Sequence, residues 1–159
     1  MNLRKTAMGL ALGCALNFGI VALAAEQPIL TIENGYSAGY NVGTSKVGSA
    51  FDITMGFGMS ENLQAQVSFI QGDGSSFANY RLFALAYAVA PKLGVTTLVG
   101  MDTTAAASVV GIGLYSNLLT RVITGSLQTG LKLKLDYIAP VTNYSGGVIR
   151  LGLSAALGM

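Results

Sequence analysis

Alternation organises the chain, and it is most regular from Gly147 to Met159. Every second residue puts Ile149, Leu151, Leu153, Ala155, Leu157 and Met159 on one face, with Val148, Arg150, Gly152, Ser154, Ala156 and Gly158 on the other. An extended chain sends successive side chains to opposite sides, so this is a strand with an apolar face and a small or polar face. The period recurs upstream. Ile29 to Tyr40 sets Leu30, Ile32, Tyr36, Ala38 and Tyr40 against Thr31, Glu33, Gly35, Ser37 and Gly39, with Asn34 interrupting the apolar side. Phe51 to Met59 sets Phe51, Ile53, Met55, Phe57 and Met59 against Asp52, Thr54, Gly56 and Gly58. Leu63 to Phe69 sets Leu63, Ala65, Val67 and Phe69 against Gln64, Gln66 and Ser68.

The second half is less even. Phe77 to Val89 is a strand if Phe83, Leu85, Tyr87 and Val89 face lipid. Arg81 then shares their face near its loop end, where its long stem lets it snorkel. Val95 to Met101 is a weaker strand, and Ser108 to Leu114 places Val110, Ile112 and Leu114 against Gly111 and Gly113. A turn is expected somewhere within Tyr115 to Gly125. Leu127 to Tyr137 restores order, with Leu127, Thr129, Leu131, Leu133, Leu135 and Tyr137 opposing Gln128, Gly130, Lys132, Lys134 and Asp136.

Eight strands result. Tight turns are expected at 60–62 and 91–94, and Gly/Ser/Thr/Asn-containing connections at 41–48, 71–76, 102–106 and 139–145. An even number of strands of ~9–11 residues, short turns at one end and longer loops at the other, is the layout of a membrane barrel. The fold class expected is therefore all-β, an eight-stranded antiparallel up-and-down transmembrane β-barrel. Two other architectures compete. Thr103 to Thr120 is an uncharged run long enough for a borderline helical span, but it carries Ser, Asn, Thr and two glycines between alternating neighbours. A secreted β-sandwich would turn its apolar face inward, and the chain would then be expected to carry a polar tail, which the last strand lacks.

Composition sharpens this picture. Of 159 residues, 52% are hydrophobic and only 10% charged, too apolar for an ordinary soluble domain. The N-terminus reads as a cleaved secretory leader: Arg4 and Lys5, an apolar run from Met8 to Leu23, and an A-x-A site at Ala22-Leu23-Ala24. Glu26 and Gln27 follow with no basic stop-transfer cluster, which argues against an uncleaved anchor. The expected division is signal peptide 1–24 and barrel 25–159. Removing 24 residues from 159 leaves 135, with 7 basic and 7 acidic side chains, so no basic surface for nucleic acid remains. Cys14, the single cysteine, leaves with the leader.

With leader, strand–turn–strand–loop rhythm over 29–159 and apolar last strand in view, the chain resembles the small eight-stranded outer-membrane barrels of Gram-negative bacteria, the OmpA/OmpX-type group. The resemblance implies residence in the cell outer membrane, with lipid around the barrel. It also implies a last strand that the barrel-assembly machinery reads. Leu151, Leu153, Ala155 and Leu157 fit that signal, while Met159 stands where the group has an aromatic. Trp is absent, so an interfacial aromatic girdle has to come from Tyr and Phe.

Parity puts Glu33, Asp52, Lys132, Lys134, Asp136 and Arg150 on inward faces of four strands that are contiguous if the barrel closes. An interior of eight strands is just filled by side chains, so these charges are expected to pair across it. Facing lipid, a midplane Lys or Arg would cost ~2–4 kcal/mol each. The cluster reads either as a salt-bridged plug supporting the wall or as the gate of a narrow conduit; the plug is favoured, since a fold carries no function by itself.

Catalysis meets one fixed obstacle: the chain has no histidine. A Ser-His-Asp hydrolase and a His-based zinc site or general base are thereby excluded. Gln71 to Ser76 lacks the Gly-Lys-Ser/Thr ending of a phosphate loop and has one carboxylate, too few for calcium. No enzyme and no cofactor is expected. Short, nearly uncharged loops name no extracellular ligand, and Phe77, Tyr80 and Tyr144 near their ends are expected to anchor at the membrane interface. The function expected is a non-enzymatic outer-membrane barrel with a structural or surface-interaction role, the alternative being a narrow transport pore.

Overall fold

Strands with one apolar and one polar face can satisfy their backbones in lipid only by pairing until no edge remains. A computed structural model describes residues 29–74 and 76–159, and the leader expected at 1–24 lies outside them. Eight strands follow one another: β1 (Leu30–Asn41), β2 (Lys46–Gly58), β3 (Leu63–Gly72), β4 (Tyr80–Ala90), β5 (Leu93–Asp102), β6 (Ala107–Thr124), β7 (Leu127–Pro140) and β8 (Val148–Gly158). Each pairs antiparallel with its sequence neighbour, and β8 pairs with β1, so the sheet is a closed barrel. Among the described residues the helical element is a 3-10 turn, Tyr144–Gly146, and no helix is long and apolar enough to cross a membrane.

The register fixes the slant of the wall. Ladder partners followed around the barrel run Thr31, Gly56, Gln66, Ala84, Leu98, Gly111, Ile138, Val148 and back to β1 at Asn41. One circuit therefore climbs ten residues along β1. A stagger of that size for eight strands goes with a tilt of roughly 35–45°, leaving an interior that side chains fill. The faces are inverted relative to a soluble protein. Glu33, Asp52, Thr54 and Arg150 are buried inside, while Phe57, Phe83, Leu151 and Leu153 are exposed on the outer wall.

Several boundaries move from the sequence expectation, each for a local reason. The connection expected at 41–48 shrinks to 42–45, because Lys46 and Val47 keep pairing with Asn41 and Tyr40. Asn41 Oδ1 accepts the Thr44 N–H at 3.0 Å and Ser45 takes a φ of 55°, which closes the turn in four residues. The segment expected to open β4 at Phe77 belongs to the loop 73–79. There Asp73 accepts N–H bonds from Ser76 and Phe77 through Oδ1 and from Ser49 through Oδ2. The last loop is 141–147 instead of 139–145, and β5 starts at Leu93, inside the turn expected at 91–94.

The largest difference is β6. The turn expected within 115–125 falls at its far edge, and β6 runs unbroken through Tyr115 to Thr124 before turning at 125–126. Bulges between Asn117 and Leu119 and between Val122 and Thr124 shift the pairing by one residue each time. A bulge breaks the period of two, which is why the alternation fades there. β5 begins at Leu93 opposite Ser116, with the Asn117 N–H donating to the Lys92 carbonyl at 2.8 Å. From Leu118 onward β6 has β7 on one side only, while β7 stays paired with β8 as far as Gln128, so β6 forms a free edge past the end of β5. The helical alternative over 103–120 is replaced by the loop 103–106 and this strand.

Candidate functional site: the barrel lumen

Inward parity on β7, β8, β1 and β2 gathers all six sequence-selected charges, because closure makes those strands neighbours. They form two groups of three. In the first, Glu33 takes Lys132 on Oε1 and Lys134 on Oε2, the latter at 2.5 Å. Lys134 also reaches Thr54 Oγ1 at 3.5 Å, and the Lys132 ammonium lies 5.1 Å from the centre of the Tyr115 ring. In the second, Arg150 donates through Nε to Asp136 Oδ2 at 3.0 Å and through Nη1 to Asp52 Oδ2 at 2.9 Å, while Nη2 closes the fork on Asp136.

Their counts differ in sign. The Glu33 group holds one acid and two bases, and the Arg150 group two acids and one base. Each is unbalanced alone, and together they are neutral. Their placement follows from the ladder: Asp136 and Arg150 are direct β7–β8 partners. Room comes from a missing side chain opposite, since a Cβ on Gly113 would lie 2.0 Å from Asp136 Oδ1 and 2.5 Å from Thr96 Oγ1. Neutral polar side chains fill the space toward the turn end. Thr54 and Ser68 share a hydroxyl hydrogen bond of 2.8 Å, Gln64 donates to Thr31 Oγ1 at 3.0 Å, and Gln66 donates to Gln64 Oε1 at 2.7 Å.

Toward the loop end the lumen changes character. Phe77 and Tyr80, expected as interfacial anchors, turn inward instead and are 1% and 6% exposed. Their rings meet edge to face, with centroids 5.9 Å apart. Around them pack Ala50, Ile70, Leu82, Leu98, Val109, Ile138 and Val148. Asp73 holds the loop in the conformation that points Phe77 down the barrel, and Gly39 clears its path, since a Cβ there would sit 1.9 Å from the ring. Tyr144 stays half exposed on the loop, its carbonyl accepting the Tyr137 hydroxyl.

This apolar cap was missed from sequence, although a signal existed. On the polar-facing parity the residues nearest the loop end are repeatedly large and apolar: Ile70, Leu82, Val109, Ile138 and Val148. Between the charges and the facing β3, β5 and β6 wall a cavity of about 10 Å³ remains beside Thr96, Tyr115, Lys134 and Asp136, room for about one water. Thr96 Oγ1, Ser37 Oγ and Asp52 Oδ1 are buried without a hydrogen-bond partner. Among the described residues no group of three or more Asp, Glu, Cys or His stands together as a metal site.

A closed barrel with an apolar outside and a filled, partly charged inside is the architecture of a transmembrane β-barrel. Among solved structures, one from the de novo design of transmembrane β-barrels superposes with a TM-score of 0.51 at 16% identity, covering 86% of this chain and 100% of its own. The crystal structure of the Neisserial surface protein A gives a TM-score of 0.49 at 14% identity, covering 80% of this chain and 93% of its own. No family model and no curated protein matches. At such identities the likeness is one of fold: a closed, eight-stranded antiparallel transmembrane-type barrel.

Proposed function

We propose that this chain is an integral protein of the bacterial outer membrane, non-enzymatic, with a structural or surface-interaction role and a lumen that does not conduct. The observation that carries this reading is the filling of the barrel at two levels, neutralised ion triads below and the Phe77 cap above. A conduit needs a continuous wet path, and the space beside the charges holds about one water. The exposed apolar wall supports lipid as its surroundings, the leader at 1–24 supports export, and the missing histidine removes the commonest acid–base chemistry. In this reading the tight turns 59–62, 91–92 and 125–126 face the periplasm, and β8 is the segment offered to the assembly machinery.

The test is gel migration of the outer-membrane fraction, boiled against unboiled, followed by planar-bilayer recording of the folded protein. A heat-dependent shift with electrical silence is expected. Recovery in the soluble periplasm or inner membrane would overturn the location. Discrete openings altered by Lys132→Ala or Arg150→Ala would move the reading to transport.

A further inference from the structure

The outer wall carries one short carboxamide in the middle of its apolar belt. Asn34 faces outward between the buried Glu33 and Gly35, is the fifth of twelve residues in β1, and lies beside Ile53 of β2 and Ala155 of β8. Below it is Ile32; above it are Tyr36 and Ala38. Among the described residues its side chain makes no hydrogen bond, and every backbone group around it is engaged in the ladder.

Two donors and an acceptor held in hydrocarbon without partners are costly. Other polar groups on the wall have a way out that Asn34 lacks. Arg81 stands one residue from the loop end of β4, its guanidinium 5.2 Å from the Phe69 ring centre, and its long stem reaches the headgroups. Asn is too short to snorkel from mid-strand. Thr97, on the far wall, exposes a single hydroxyl beside a methyl group.

We propose that the β1–β8 face is the contact surface of a homodimer in the membrane, resting on the outer-membrane reading above, with Asn34 of each copy hydrogen-bonded to Asn34 of the other. A carboxamide is self-complementary, offering N–H to the partner's C=O and the reverse, so a two-fold axis along the membrane normal satisfies both at once. A second copy is therefore the occupant whose chemistry is guaranteed to match. Ala38 and Ala155 flank the axis, and small side chains let two walls approach closely enough for that bond. Tyr36, 73% exposed and packed on Phe51 at 5.2 Å, stands proud beside them and would close over the partner's alanines.

The experiment is resonance energy transfer between donor- and acceptor-labelled full-length protein in phosphatidylcholine/phosphatidylglycerol vesicles, across a range of protein-to-lipid ratios. Wild type is expected to dimerise. Asn34→Leu should weaken association at least tenfold, and Asn34→Gln should restore part of it. The heat shift on gels, which reports the folded barrel, should be the same for all three. Monomeric wild type at every ratio, or undiminished transfer in Asn34→Leu, overturns the dimer and leaves the barrel standing. Loss of the heat shift in wild type would instead strike the membrane reading itself.

Discussion

The two halves of the lumen answer the same geometric demand with opposite chemistry. Both are filled from the inner face of one barrel, yet one holds Glu33, Asp52, Lys132, Lys134, Asp136 and Arg150 of β1, β2, β7 and β8, and the other Ile70, Tyr80, Leu82, Ile138 and Val148 of β3, β4, β7 and β8 with Phe77 from the loop 73–79. Parity decides which residues look inward, whereas height along the strand decides what they have to be. Midway down, the lumen is closed in by its own filling, and the charges there are held by pairing with one another, with Ser37 Oγ, Thr96 Oγ1 and Asp52 Oδ1 left without a hydrogen-bond partner. At the loop end the lumen would meet water, and there an apolar cap lies over the ion triads.

Arg150→Ala tests that pairing most severely. It strands Asp52 and Asp136 together, two carboxylates at 3% and 4% exposure with no remaining cation on either. Breaking one buried pair costs about 3–5 kcal/mol, and the loss here should sit at the top of that range. The check is urea unfolding of the barrel in vesicles. Replacing the whole triad by Asp52→Asn, Asp136→Asn and Arg150→Met should recover part of the loss, since no carboxylate is then left without its cation, while the Glu33 group keeps one positive charge in excess. If the triple variant is as weak as the single one, packing and not charge carries the site.

Phe77→Ala attacks the cap. A buried aromatic cut to Ala costs about 3–5 kcal/mol, and the lower end is expected because the ring hangs from a loop that can relax. The sharper readout is electrical: with the ring gone, water reaches the Arg150 triad, and brief openings absent from wild type should appear in planar bilayers. Continued silence would mean that the charged half closes the barrel unaided. Next in size is Lys132→Met. Glu33 keeps Lys134, so no carboxylate is orphaned, and the loss should be about 1–2 kcal/mol, below that of a broken lone pair.

Legibility followed the same division. Wherever the ladder is regular, a period of two was enough to place each inward charge, and the six came from Glu33, Asp52 and the Lys132 to Arg150 hairpin with no contact known. Sequence did not say which acid meets which base, because that depends on the ten-residue stagger set by closure. The cap was hidden for another reason. Phe77 lies outside any strand, so parity says nothing about it; the hydrogen bonds of Asp73 and the space left by Gly39 let it turn inward. β6 was hidden by its bulges, which put Leu118 beside Leu119 on an otherwise alternating strand.

The smallest effect should come from the region that shares neither half of the lumen. The β6–β7 overhang ends in Gly125 at a φ of 51°, with open space where a Cβ would sit. Gly125→Ala therefore meets no clash, only the strain of a left-handed backbone, about 1 kcal/mol. That strain falls on residues 118–127, which contribute no side chain to the ion triads or the cap. Local hydrogen exchange at the hairpin amides should rise while the urea midpoint of the barrel stays put. A midpoint that moves with the hairpin would mean that the overhang and the ring unfold as one unit, and that β6 helps hold the closed register from below.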